Sequence, residues 1–510
     1  MIISLSVLVI TIIVSGTYAL YKAQLSKNIG VNTTTHWLAY YINYVKGTDI
    51  TAATLNPSTS YEGGASSDIE FWKKDDSYDI YGKIELTVNT IGTNLSNSPA
   101  LKYAVVNNGN VLKEGSLKGT TSGSKVTILK NLYLEQTKQI YTVYVWLDNS
   151  EELGNISNES LSISVDCTAS LQKEPTAADT IISLYTSAAK VTATNNSITY
   201  NTAPSVSLMN DRLGGTTTDL DGGNIRYYGA NPNNYIYFNC SDYSNQTSST
   251  CETWRIIGVF DGKLKLIKGS QIGTYSWDNK NISTGAEDDR GKNDWTTARL
   301  MKLLNPDDYY INDNNDKDSE GNYLGYSLYY NSASGMCFTD EGVNYSACDF
   351  TSTGIKNDET RNMIAETTYN LGGWNDTGVY PNEIYEYERG TTVYTGRPTT
   401  WTGKIALAYP SDYGYAADLN QCKQTLANYD NSTCTSNNWM KAIITDNGSN
   451  HGWLLTPDSS YSYVAWYSHG NVGEYFTGAA RGAVPVLSLS SKLGIESGDG
   501  SSSNPYKLSA

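Results

Sequence analysis

The stretch "YDIYGKIELTVNTIG" (Tyr78–Gly92) alternates apolar with polar residues, the period of a strand that turns one face to a core and the other to water. The same alternation recurs in "ALKYAVVNNGNVLKEGSL" (Ala100–Leu117), "SKVTILKNLYLEQ" (Ser124–Gln136) and "QIYTVYVWLDN" (Gln139–Asn149), with Asn-Gly and Gly-Asn pairs as turns. "LSISVDCTA" (Leu161–Ala169) supplies a last strand. Repeated short strands at this spacing predict an all-β sandwich or jelly roll over residues 28–170. "SLQKEPTAAD" (Ser170–Asp179) then reads as a linker, with Pro175 near the start of the next helix.

Beyond Thr176 the texture changes to α+β. "TAADTIISLYTSAAKV" places Ile181, Ile182, Leu184, Tyr185 and Ala188 on a helical stripe. "NDWTTARLMKLLNP" predicts a second helix, with Asp294 as N-cap and Pro306 beyond its end. "NDETRNMIAETTYNLGG" predicts a third, stopped by Gly372 and Gly373. Between them run strands such as "NYIYFNC", and "TWRIIGVFDGKLKLIKG" reads as a hairpin turned at Asp261-Gly262. The expected organisation is a leader or anchor at 1–27, the sandwich at 28–170, a linker and entering helix at 171–223, and a second domain at 224–510.

Composition narrows the function classes. A chain of 510 residues exceeds one hydrophobic core, and 41 tyrosines against 6 phenylalanines favour half-exposed pleated surfaces. A net charge of −16 without a long Lys/Arg cluster excludes nucleic acid as an expected partner. At the start, the apolar run Ile2–Val14 is short for a membrane span and suits a signal-peptide core, with Thr17, Tyr18 and Ala19 as a cleavage site. The usual basic flank is missing, so an uncleaved anchor stays open.

Six of the seven cysteines form close pairs in sequence, Cys240 with Cys251, Cys337 with Cys348 and Cys422 with Cys434, which suits local disulfides in an exported protein. Cys167 is left over, as a buried thiol or an intermolecular link. None of the pairs has the C-x-x-C spacing of a zinc site.

"WLLTPDSSYSYVAWY" (Trp453–Tyr467), flanked by His451 and His469, is the chemically densest stretch. From Tyr461 onward, alternation puts Tyr461, Tyr463, Ala465 and Tyr467 on one face of a strand, with "SHGNVG" as a turn. Core packing and a ligand-binding face are both open readings. The residues expected to bind ligand are Tyr461, Tyr463, Tyr467, His469 and Arg481. No catalytic residue is assigned, since no H-E-x-x-H or G-x-S-x-G occurs. The metal candidate is "NDNNDKDSEGN", where Asp316, Asp318 and Glu320 before Gly321 imitate the start of a calcium loop. Its twelfth position is Ser327 rather than a bidentate Glu, so a solvated acidic loop competes. Calcium is the one cofactor the sequence puts forward.

Two resemblances add to this reading. "SGTYALYKAQLSKN" with "LKYAVVNNGNVLKEG" and "YTVYVWLD" resembles the TasA/camelysin class of exported proteins over residues 1 to about 170. That resemblance implies a jelly-roll sandwich and assembly into fibres by donation of an N-terminal strand. "NIRYYGANPNNYIYFN", "TWRIIGVFDGKLKLI", "HGWLLTP", "RGAVPVLSL" and "SGDGSSSNPYKL" resemble an uncharacterised exported bacterial family, whose C-terminal domain is similar to the C-type-lectin fold of formylglycine-generating enzymes. Together they imply a noncatalytic surface protein with a sandwich stalk and an adhesin-like domain for an extracellular ligand, glycan or protein. The competing expectation is a fibre subunit that self-associates through "THWLAYYINYV" (Thr35–Val45).

Overall fold

A computed structural model describes residues 32–33, 38, 41–51, 55, 57–151, 153–156, 159–214, 222–278, 290–306, 325–338 and 345–509. It is β-rich and divides into two compact units, Met1–Glu174 and Pro175–Ala510. The expected leader at 1–27 lies outside the described residues, as does most of the segment before Ile42.

The first unit is a β-sandwich. One sheet is ordered Asn32–Thr33, Leu161–Ser170, Tyr81–Ile91 and Lys125–Tyr133, with Ile50–Thr51 also on Leu161–Ser170. The other is ordered Ile42–Val45, Ala65–Lys73, Ile140–Asp148, Leu101–Asn107 and Asn110–Ser116, with Pro57–Ser58 on Ile140–Asp148. The alternation read in Tyr78–Gly92 is realised: Ile84, Leu86 and Val88 are fully buried, while Lys83, Glu85 and Thr87 between them are half-buried. Ile84, Leu86 and Val88 pack in one cluster with Ile69, Phe71, Val143 and Val145 of the other sheet. Each such side chain contributes about 1.5–3 kcal/mol of burial. Asn108 and Gly109, both at positive φ (50° and 78°), make the two-residue turn that sets the hairpin Leu101–Ser116. Cys167 stands opposite Ile84 inside this core, where burial pushes its thiol pKa well up.

The compact second unit begins at Pro175, so it takes in the entering helix expected within 171–223 and the strands that follow it. Helix Ala177–Ser187 opens with a capping box in which Thr176 and Asp179 satisfy each other's backbone N–H groups. It lays Ile181 and Tyr185 on strands Glu252–Phe260 and Lys263–Lys268. Strands Val191–Asn195, Ile198–Ala203 and Leu208–Asn210 then extend the same sheet as Ile225–Tyr227. Their buried Tyr200, Ala203, Leu208 and Met209 tie them to this unit. The sheet continues through Glu252–Phe260, Lys263–Lys268, Val486–Ser488 and Ile405–Ala406. Asp261 and Gly262 turn its central hairpin at φ 49° and 70°, as read.

Two helices are shorter than the sequence suggests. Asp294 does not cap a helix; its carboxylate accepts from the backbone and hydroxyl of Thr296 in a preceding turn, and the helix runs over Arg299–Leu304 after an extended Ala298. The segment from Asn357 is helical over Asp358–Met363, capped by Asn357. It then becomes strand Thr367–Asn370, since the β-branched Thr367 and Thr368 pair with Thr400–Gly403 and no glycine is needed to stop the helix.

Buried polar contacts tie distant segments of this unit together. Arg226 donates from Nε to Asp211 at 2.5 Å and from Nη1 to Asp412 at 2.9 Å, and Lys265 donates to the second Asp412 oxygen, all four side chains being buried. Disulfides join Cys240–Cys251, Cys337–Cys348 and Cys422–Cys434 as the sequence suggests, which fits an oxidising, extracellular environment. Among the described residues no helix is long and apolar enough to cross a membrane.

Candidate ligand-binding face

A second sheet of this unit carries the aromatic stretch. Its strands are ordered Thr274–Ser276, Ala480–Gly482, Gly452–Pro457, Val464–Ser468 and Val472–Phe476. "WLLTPDSSYSYVAWY" is therefore two strands, not one. Trp453 and Leu455 are fully buried, and the Trp453 indole donates to the Tyr275 carbonyl at 2.9 Å. Trp466, fully buried on the other face, donates to the Trp374 carbonyl at 3.2 Å. The alternation expected from Tyr461 starts only at Val464, because residues 458–463 form a turn.

That turn is built from outside. The Asn293 side-chain amide donates to the carbonyls of Asp458 (2.8 Å), Tyr461 (2.8 Å) and Val464 (3.1 Å). Arg397 donates to Asn293 Oδ1 and to the Ser462 carbonyl, both at 3.0 Å. Asp458 accepts from the Tyr461 backbone at 2.8 Å, leaving its other oxygen beside Glu474. Burial, then the neighbouring Asp458 charge, pushes the Glu474 carboxyl up to about 7. The two neighbouring carboxyls under the turn each raise the cost of ionising the other.

Tyr461, Tyr463 and the rings beyond them form a continuous row. Tyr461 to Tyr463 is 6.0 Å between centroids, Tyr463 to Phe476 5.6 Å, Phe476 to Tyr475 5.1 Å and Tyr475 to Tyr467 6.4 Å. Tyr467 stacks with His451 at 5.1 Å, and His451 meets His469 edge-on at 4.0 Å. Cations sit at two places along the row. Arg290 lies 4.8 Å over Tyr463 and 5.1 Å over Phe476, and donates to the Tyr463 hydroxyl at 2.9 Å. Arg481 reaches across strand Gly452–Pro457, its guanidinium 4.0 Å from the Tyr467 centroid and 4.3 Å from that of Tyr475.

Arg481 is 8% exposed, whereas its neighbour Tyr475 is 40% exposed and His469 is exposed. One Nη donates to His451 Nδ1, which must accept and is therefore unprotonated. Burial, then the Arg481 and His469 charges, holds the His451 pKa down to about 4.

Of the five residues expected to bind ligand, all lie on this row or beside it, Tyr461 and Tyr463 at one end and Tyr467, His469 and Arg481 toward the other. Sequence reasoning missed Arg290, His451, Tyr475 and Phe476 as members, and Asn293 and Arg397 as supports. Tyr475 and Phe476 carried a strand signal alone, and Asn293 lies 165 residues from Asp458. The calcium candidates Asp316, Asp318 and Glu320 lie outside the described residues. Among the described residues no three His, Cys, Asp or Glu side chains converge on a metal-sized site. Comparison with protein-family models, curated proteins and solved structures gives no match for this chain.

Proposed function

We propose that the chain is a noncatalytic, exported bacterial surface protein. In this reading residues 28–170 are a jelly-roll stalk or assembly module, and the C-terminal unit is a C-type-lectin-like, adhesin-like domain that binds an extracellular glycan or protein through the aromatic row. The observation that carries it is the row itself, in which rings that reach solvent, Tyr461 at 55% and Tyr475 at 40%, alternate with two guanidinium groups on a sheet fixed by buried Trp453 and Trp466. Rigid aromatics with a polar handle supply contact area at little entropic cost. Three disulfides support an extracellular setting. A glycan array and a whole-cell adhesion assay test it: Tyr461→Ala and His469→Ala should fold and lose attachment. Normal attachment by both variants would remove the row from the function.

The fibre-subunit reading is favoured by one observation. Strands Asn32–Thr33 and Ile42–Val45 occupy outer positions in the two sheets of the sandwich, where a segment that pairs within its own chain could pair with a neighbour's instead. Deleting Leu20–Val45 should abolish polymers seen by negative-stain microscopy, and polymers that persist would reject strand donation. Calcium binding by Asp316, Asp318 and Glu320 belongs to the same proposal, and calorimetry without heat at millimolar calcium would dispose of it.

A further inference from the structure

Arg481 differs from several other buried cations of this unit. Arg226, Lys265 and Lys268 each meet a carboxylate, and Arg255 donates to the oxygens of Asn234 and Pro232. Among the described residues Arg481 has no carboxylate within ion-pair distance, its Nε has no acceptor, and its one polar partner is the neutral His451. A guanidinium keeps its charge at any ordinary pH; stacking on Tyr467 and Tyr475 offsets part of the cost of burying it, and a bound anion would return more. The groups around it complete the same pattern. With Nδ1 accepting from Arg481, His451 carries its proton on Nε2 and presents a donor. Donors beside a positive charge that has no carboxylate partner among the described residues match an oxyanion.

What surrounds Arg481 selects the kind of anion. The row of rings continues from it in steps of 5 to 6 Å through Tyr475, Phe476 and Tyr463, comparable with successive sugar rings, whose C–H faces stack on aromatics. A peptide adding as a strand would need the outer edge of Val472–Phe476, and the turn Leu426–Asn428 packs against that strand.

We propose that this face binds an acidic glycan, with Arg481 and His451 holding a sugar carboxylate while Tyr475, Phe476 and Tyr463 stack on the adjoining rings. The inference rests on the ligand-binding reading above and adds the charge and class of the ligand. It is tested by calorimetric titration of the full chain with a glucuronate-containing oligosaccharide and with its methyl ester, which keeps the rings and removes the charge. The acid should bind about tenfold or more tighter than the ester. Arg481→Gln should bring the two to equal, weak binding, and Arg481→Lys should keep the preference for the acid. Tyr475→Ala should weaken both without changing their ratio. If Arg481→Gln does not fold, the acid-to-ester ratio of the unsubstituted protein decides. Equal binding of acid and ester would overturn the carboxylate site and leave a neutral-glycan face standing. Arg481-dependent binding of poly-glutamate without binding of the oligosaccharide would overturn the glycan class. No binding of either sugar, with no hit on a glycan array, would overturn this inference and the glycan-binding reading together.

Discussion

In the sandwich, Lys102 and Asp148 meet 2.7 Å apart at a half-exposed rim, while in the C-terminal unit Arg226, Lys265, Asp211 and Asp412 meet in the interior. Apart from Lys73, which is buried and reaches Asp76 and the Tyr133 hydroxyl, the sandwich's ion pairs lie at the edge of an apolar core whose members alternate along long strands. The C-terminal unit has short strands, and contacts between residues far apart in sequence take over: Asp412 reaches Arg226 across 186 positions. The contrast teaches that the first unit is ordered by period and the second by particular pairs, so single changes should harm them unequally.

The largest test is reduction. Each loop of 11 or 12 residues closed by a disulfide contributes about 3 kcal/mol in the chain-entropy model, and all three belong to the C-terminal unit. Dithiothreitol should move the C-terminal transition in urea to much lower denaturant and leave the sandwich transition in place. Equal movement of both would break the comparison. Next comes Asp412→Ala, which strands buried Lys265, leaves Arg226 with Asp211 alone and should cost about 3–5 kcal/mol in the same transition. Trp453→Ala should cost a similar 3–5 kcal/mol by emptying a fully buried site and losing the bond to Tyr275.

Acidification should separate the units by sign. Glu474 and Glu388 both titrate near 7 when folded, burial being the first cause in each, against an ordinary 4.5. They bind protons more tightly folded than unfolded, so the C-terminal unit gains stability as pH falls from about 7 toward 4.5. His451, held down to about 4, opposes this below its ordinary 6.5. In the sandwich, burial would raise Asp148, but hydrogen bonds from Lys102 and Ser150 outweigh it and bring it to about 2. That contribution is present above 3.8 and is lost as pH falls through 2. Melting curves at pH 7.5, 5.5 and 3 should show the C-terminal transition rising at 5.5 with the sandwich unmoved, and Glu474→Gln should flatten part of the rise. The smallest effect is Tyr461→Ala, which should leave stability within about 1 kcal/mol in thermal melts, since the ring is 55% exposed.

Legibility followed the same division. Tyr78–Gly92 announced its strand because every second residue enters one core, and Asn108-Gly109 announced its turn through the positive φ both residues tolerate. Thr367 and Thr368 misled, since a helix-like pattern before them continued on paper where backbone pairing with Thr400–Gly403 ended it in space. The aromatic residues near Trp453 were visible as a cluster, yet the setting of Arg481, beside His451 and without a carboxylate partner among the described residues, depends on what does not lie near it. Periodicity carries no record of that.

Among the described residues, the first and last strands of the sandwich run side by side in the same direction, Asn32 opposite Thr168 and Thr33 opposite Ala169. A pull that enters through the N-terminal strand and leaves through Ser170 therefore drags these neighbours past each other lengthwise. Their backbone bonds are loaded together in shear instead of being peeled apart in turn, so resistance to tension along the chain is concentrated at this pairing. Antiparallel hairpins such as Leu101–Ser116 lie off that line of force.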